Sequence, residues 1–264
     1  MLCTLANATA LFSATIKKLL KKLRHLPDNM RNAAWVFDFI PMEVSVLVKV
    51  GGETLDINFC TFVCKEGVNL MSKDCVEKFH GYFPIRFNYD DSYHSTGNMS
   101  IQCHSGSAFN REHYGEFGRQ DESYYVCVTG HDAKTFIGFR DDADIPRFFK
   151  DIEAADTEHK PCDYMKYVNY EESKPGLQVM LPSGTIHSSG RNQVILEIGS
   201  LTIGSYTYKM YDYLRLDFDG KQRPIHTSSS HPAARTLRSA RGCRQSRSGI
   251  GWTCCRWSGS CHRS

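Results

Sequence analysis

Cys60-Thr-Phe-Val-Cys64, followed by Cys75 and His80, supplies four ligand types of the kind that hold zinc. The spacing is not that of paired Cys-x-x-Cys knuckles, and a thiol at the end of an apolar strand is an ordinary core residue. Cys254, Cys255, Cys261 and His262 near the C-terminus have no companion knuckle either. Asp141, Asp142 and Asp144 carry oxygen donors suited to calcium, but they lack the spacing of a calcium loop, and Asp144 is placed to cap a helix. His94, His104, His113 and His131 fall in the central region, where an acid–base pair would have to assemble in space. No Gly-x-Ser-x-Gly elbow, phosphate-binding Gly-rich loop or His-Glu-x-x-His occurs. These residues therefore assign no catalytic group, metal or cofactor.

A denser signal lies between Tyr82 and Tyr125, where Tyr, Phe and His alternate with Asn, Asp and Arg. Flat apolar faces beside hydrogen-bonding groups recognise sugars, lipid head groups and protein surfaces. Tyr89, Tyr93, His94, Asn110, His113, Tyr114 and Arg119 are the expected ligand-binding set. Cross-strand aromatic pairing accounts for part of the stretch, Tyr124 and Tyr125 above all.

The elements that would position these residues are mostly strands. Val44, Val46, Val48 and Val50 alternate with Glu43, Ser45, Leu47 and Lys49. Gly51-Gly52 turns the chain into a second arm with Leu55, Ile57 and Phe59. Further strands are expected over 82–87, 99–103, 123–128, 135–139, 177–181, 193–198 and 206–218. One body helix is expected, with Asp144 as N-cap, Pro146 in the first turn, and Ile145, Phe148, Phe149 and Ile152 as its apolar stripe. The fold expected is mainly β: an antiparallel sandwich or barrel with one short helix. A doubly wound nucleotide-binding fold is disfavoured, because nothing alternates as βαβ units would.

The two ends differ from the body. Residues 1–34 hold six basic side chains against one acid, and 221–264 hold nine and no acid; the chain total of +3 leaves 35–220 at −11. Residues 1–41 read as a basic amphipathic head, with Leu11, Phe12, Ile16, Leu19, Leu20, Leu23 and Leu26 at helical spacing, and Lys17, Lys18, Lys21 and Lys22 between them. Such a head is a transit peptide, a membrane-surface anchor or a helix packed on the body. Residues 42–220 form the expected β-domain. Residues 221–264, rich in Arg, Ser and Cys, read as a disordered tail or as sequence outside the native coding frame. Six of the eleven cysteines lie in the body; with no apolar segment preceded by charge to export the chain, reduced thiols and a cytoplasmic location are favoured.

The basic amphipathic segment before the body, and Ser188-Ser189-Gly190 leading to Ile195-Leu196-Glu197-Ile198, resemble small β-sandwich proteins of the actinoporin and fungal fruit-body lectin type. The function expected is non-enzymatic and lectin-like, binding a glycan, an anionic lipid surface or a protein through the aromatic-polar loops. The alternatives are a nucleic-acid-associated structural protein with basic ends, and a hydrolase without a recognisable motif. If the head is membrane-active, replacing Lys17, Lys18, Lys21 and Lys22 with Gln weakens binding to anionic vesicles by about 1 kcal/mol per charge. Vesicle co-sedimentation at low salt measures this, and wild-type indifference to vesicles sinks the anchor reading.

Overall fold

The computed structural model describes residues 34–41, 43–93, 95, 97–200, 206–217, 219–227, 243–245 and 252–253. The expected head helix with its four lysines, His94 and most of the expected tail lie outside these residues. All described residues belong to one compact unit, 32–264.

The structure is mostly β, with antiparallel sheets and few helices. In chain order the elements are β1 (Ala34–Phe39), β2 (Ser45–Val50), β3 (Glu53–Asn58), α1 (Phe59–Met71), α2 (Lys73–Lys78), β4 (Ile85–Asp91), β5 (Ile101–His104) and α3 (Ser107–Tyr114). Then follow β6 (Glu122–Thr129), β7 (Lys134–Phe139), α4 (Ile145–Thr157), β8 (Val168–Glu172), β9 (Gln178–Leu181), β10 (His187–Ser189), β11 (Gln193–Ser200), β12 (Thr207–Tyr211), β13 (Cys243–Gln245) and β14 (Trp252–Thr253). A seven-stranded sheet runs β1-β4-β11-β6-β9-β13-β14, a five-stranded sheet β12-β5-β10-β7-β8, and β2–β3 form a separate hairpin. Among the described residues no helix is long and apolar enough to cross a membrane.

Strand alternation sends side chains to two different cores. Tyr124 and Val126 of β6, Val179 and Leu181 of β9 and Ile195 of β11 meet Ile137 of β7, so the two large sheets share one apolar interior. The opposite face of the five-stranded sheet presents Ile101, Cys103, Phe136, Phe139, Tyr208 and Met210 to α4. That helix forms as expected: Asp144 Oδ1 accepts from Arg147 N at 3.0 Å, proline occupies the first turn, and Phe148, Ile152 and Ala155 are fully buried.

Three helices were not expected. Phe59 does not extend the second hairpin arm. Asn58 caps α1 by accepting from Cys60 N and Thr61 N, and Phe59, Val63 and Gly67 then form its buried face at a four-residue spacing. Cys60 thus sits in a first helical turn. α2 follows directly, and α3 ends at Gly115, whose φ of 65° suits a residue without Cβ. The strand expected over 206–218 stops at Tyr211, because Tyr213 and Leu214 take left-handed backbone conformations that break the ladder. The expected hairpin forms as β2–β3, with Val46 opposite Ile57 and Val48 opposite Leu55.

The expected limits of 42 and 220 cut through this unit. β1 pairs with β4 ahead of residue 42. Beyond Gly220, His226 N donates to Lys209 O at 2.7 Å while Lys209 N donates to His226 Nδ1 at 3.0 Å, so this segment covers the free edge of β12. Thr227 and Gln222 tie the same segment to α4 through Asp156 and the Ala155 carbonyl. None of the six body cysteines forms a disulfide among the described residues.

Where β10 runs into β11, Gly190 crosses β7 so closely that a Cβ would lie 2.3 Å from the Lys134 carbonyl oxygen. Gly190→Ala is expected to force the strands apart and to cost about 2 kcal/mol or more. Chemical denaturation measures it; a cost under about 0.5 kcal/mol overturns the account.

Candidate functional site

Two histidines and a carboxylate converge at one end of the shared interior. His104 ends β5, His187 begins β10 and Glu122 begins β6. His104 Nε2 lies 3.0 Å from Glu122 Oε1, and His187 Nε2 lies 3.3 Å from Glu122 Oε2. All three side chains are buried. The far nitrogen of each ring faces a backbone carbonyl: His104 Nδ1 lies 3.3 Å from Tyr206 O, and His187 Nδ1 lies 2.8 Å from Thr185 O. When each Nδ1 donates its proton there, each neutral Nε2 turns a lone pair on the carboxylate. Three electron-rich atoms then face one another without a positive group between them. His187 Nε2 and Glu122 Oε2 have no hydrogen-bond partner. That arrangement fits a divalent cation, with nitrogen and oxygen donors of the types zinc accepts. Among the described residues this is the one group of His, Cys, Asp or Glu whose ligand atoms all lie within 4.8 Å of one another.

Register explains why Glu122 can be buried ionised. On the seven-stranded sheet Arg86 of β4 lies opposite Gly199 of β11, which lies opposite Glu122. Arg86 Nη2 donates to Glu122 Oε1 at 3.1 Å and also to Glu197 Oε1, while Gln120 Nε2 donates to Glu122 Oε1. Burial alone would raise the Glu122 pKa; His104 and His187, when they carry charge, hold it well below the ordinary carboxylate range, and a cation bound between neutral imidazoles would take the same place. One turn of the pleat away, burial and the Glu122 and Asp90 charges push Glu197 well above that range. Asp90, buried and taking a hydrogen bond from Asn88 Nδ2 at 2.6 Å, is pushed up to about 7. The interior thus lowers the pKa of one carboxylate and raises those of two others.

The aromatic-polar residues expected to bind a ligand are not gathered at this centre. Tyr89 alternates with the interior side chains Asn88 and Asp90 and so faces outward from β4. Tyr93 is exposed just beyond and lies against Gly130. Asn110 is buried in α3 and donates to Gly118 O at 3.1 Å. His113 stacks on Phe109 and Tyr114 on Tyr206, both with ring centroids 3.8 Å apart, and Arg119 pairs with Asp121 at 2.8 Å. Of the described central histidines, His104 alone belongs to the cluster, and His94 lies outside the described residues. Cys60, Cys64, Cys75 and His80 do not form a group with ligand atoms within 4.8 Å of one another. Glu122, His187, Arg86 and Glu197 escaped sequence reading, since no spacing links residues 18 and 65 apart that meet through strand register.

No family model matches the chain. It is 29% identical over 139 residues to the mannose-6-phosphate isomerase of Streptococcus mutans, covering 50% of this chain and 38% of that protein. It is 28% identical over 133 residues to a mannose-6-phosphate isomerase of Bacillus subtilis, covering 50% of this chain and 39% of the relative. The chain therefore spans well under half the length of the curated relatives it matches. The crystal structure of a Bacillus subtilis mannose 6-phosphate isomerase superposes with a TM-score of 0.55 at 21% identity, over 78% of this chain and 58% of that one, which shows a shared fold. These findings correct the expectation of a non-enzymatic, lectin-like binding domain, and its alternatives of a nucleic-acid-associated protein and a hydrolase: the proteins this chain is similar to are named as isomerases. The resemblance to actinoporins and fungal lectins gives way with it. Ser188 and Ser189 belong to β10 with His187, and Ile195-Leu196-Glu197-Ile198 lies in β11, between β4 and β6 within the seven-stranded sheet.

One buried acid lies apart from this centre. Glu116, in the loop after α3, is 8% exposed, and burial pushes its pKa up to about 7, offset in part by the Tyr206 side chain beside it. A folded pKa above the ordinary 4.5 means that the folded state holds this proton more tightly. The contribution is fully present below pH 4.5 and is lost as pH rises towards about 7. Glu116→Gln is expected to match wild type in thermal melts below that window and to exceed it above. Parallel melting curves at both ends, without a crossover in their difference, contradict the shift.

Proposed function

We propose that this chain is a metal-dependent isomerase acting on a sugar phosphate, in the manner named for its relatives. The observation that carries the reading is the convergence of His104 Nε2, His187 Nε2 and Glu122, with each Nδ1 engaged by a backbone carbonyl. The two large sheets are read as one barrel-like shell around that centre, which is the sandwich-or-barrel architecture expected from the strand pattern.

His104, His187 and Glu122 would hold the cation. Gln102 is a further oxygen donor on the same face, two residues from His104 and directly opposite His187. A divalent cation bound there supplies Lewis-acid polarisation of a sugar oxygen, which eases loss of a proton from the neighbouring carbon. The remaining work falls to the chain. Tyr206 O and Thr185 O orient the two imidazoles. Asp90 and Glu197, whose pKa values burial raises, lie in the same interior, where isomerisation needs a group that gives and takes a proton. On β12, Thr207 lies opposite His104 and Lys209 opposite Gln102, so both belong to the inner face. Gln102, Thr207 and Lys209 are only half-buried, whereas His104 and His187 are buried. The open side of the site is therefore placed along β12, with Lys209 as a cation for an anionic substrate.

The test is metal analysis of the purified full chain together with an assay of mannose 6-phosphate isomerisation. His187→Ala is expected to abolish stoichiometric divalent metal and to lower kcat/KM by about a thousandfold, the several kcal/mol that Lewis-acid stabilisation supplies. A metal-loaded wild type without isomerase activity, or a His187→Ala variant with both metal and activity intact, refutes the reading.

A further inference from the structure

Glu122 offers its two oxygens to different partners. Oε1 accepts from Arg86 Nη2 at 3.1 Å and from Gln120 Nε2 and lies 3.0 Å from His104 Nε2, whereas Oε2 faces His187 Nε2 and has no hydrogen-bond partner. Arg86 reaches Oε1 because the facing residue on β11 is a glycine. A Cβ on Gly199 would lie 3.3 Å from Arg86 Nε, 3.5 Å from its Cγ and 3.2 Å from the Asp121 carbonyl oxygen. The other side of the guanidinium rests on Glu197. An arginine held between two carboxylates above a glycine is fixed in position, and its planar fork makes a directional contact that a lysine point charge reproduces only in part.

We propose that Arg86 is a positioning residue which, by occupying Glu122 Oε1, presents Oε2 alone to a divalent cation between Glu122, His104 and His187. The inference rests on the metal-centre reading above and adds to it a determinant outside the ligand set. Without Arg86 the carboxylate is free to turn and to offer both oxygens, which changes the coordination number as well as the hold on the ion. Gly199 is part of the same device, since it leaves the space the guanidinium fills.

The experiment loads the full-length chain with Co²⁺ as the probe and records its visible absorption and its affinity by competition with a chelator. Arg86→Met is expected to weaken Co²⁺ binding about 10- to 100-fold, as loss of an outer-shell partner does. The absorption is also expected to fall at least about twofold as the coordination number rises. Arg86→Lys restores part of both. Gly199→Ala, which keeps every charge but crowds the guanidinium, shifts both readouts in the same direction and serves where Arg86→Met does not fold. A purely structural role would lower the melting temperature and leave the spectrum of the folded protein unchanged. Wild-type spectrum and affinity within threefold in folded Arg86→Met, or in folded Gly199→Ala where the former fails, overturn the proposal. If wild type binds no Co²⁺, the metal centre and this inference fall together. If wild type binds Co²⁺ but isomerises nothing, the proposed activity falls while the role of Arg86 is still decided by the spectra.

Discussion

The buried negative charge of Glu122 is the constraint around which the interior is arranged. An ionised carboxylate removed from water costs several kcal/mol unless positive or donating groups surround it. Here Arg86 and Gln120 donate to one oxygen, and two imidazole nitrogens close on the carboxylate from the five-stranded sheet. Each of these partners demands something further of the fold. Arg86 needs the missing side chain of Gly199. His104 and His187 need carbonyls at Tyr206 and Thr185 to take the Nδ1 protons, which leaves each Nε2 facing the carboxylate. The electrostatics of one side chain thus reaches β4, β5, β6, β10, β11 and the entry to β12.

The rest of the interior is divided accordingly. Towards β9 and the middle of β11 it is apolar, with Tyr124, Val126, Val179, Leu181 and Ile195 packed on Ile137. Towards Glu122, β4 turns inward Arg86, Asn88 and Asp90, and β11 turns inward Glu197. One end therefore supplies hydrophobic stability and the other polar chemistry, while the outer core under α4 takes up the remaining apolar faces. A site on rigid strands, backed by two packed clusters, holds its side chains more closely than one on loops. The aromatic-polar residues of α3 and its neighbours find partners of their own, such as Tyr206 for Tyr114 and Phe109 for His113.

Much of the secondary structure was legible from residue order alone, because period, caps and turns act over a few residues. The alternation of Val44 to Val50, the Gly51-Gly52 turn and the Asp144 cap with Pro146 behind it each specify an element locally. The missed helix α1 carried a local signal too, the Asn58 cap and the four-residue repeat Phe59, Val63, Gly67; it was masked because Leu55, Ile57 and Phe59 also fit a strand. The mainly antiparallel β character followed from these local patterns. The limits of the unit did not, since β1 and residues 221–227 are held by pairing with β4 and β12, far along the chain.

The candidate centre was decided by tertiary structure. His104, Glu122 and His187 lie on three strands, and nothing in their spacing relates them. They meet because β5 and β10 pair with His187 opposite Gln102, and because the two sheets face each other with a fixed register. A slip of one residue in any of those strands would turn its ligand to the other face. Sequence by itself determined where the chain extends, turns and coils, since those choices rest on backbone sterics and neighbouring side chains. Which acids stay ionised, which histidine nitrogens point inward and where Arg86 lies depend on desolvation and charge–charge distances that exist only once the strands are in register.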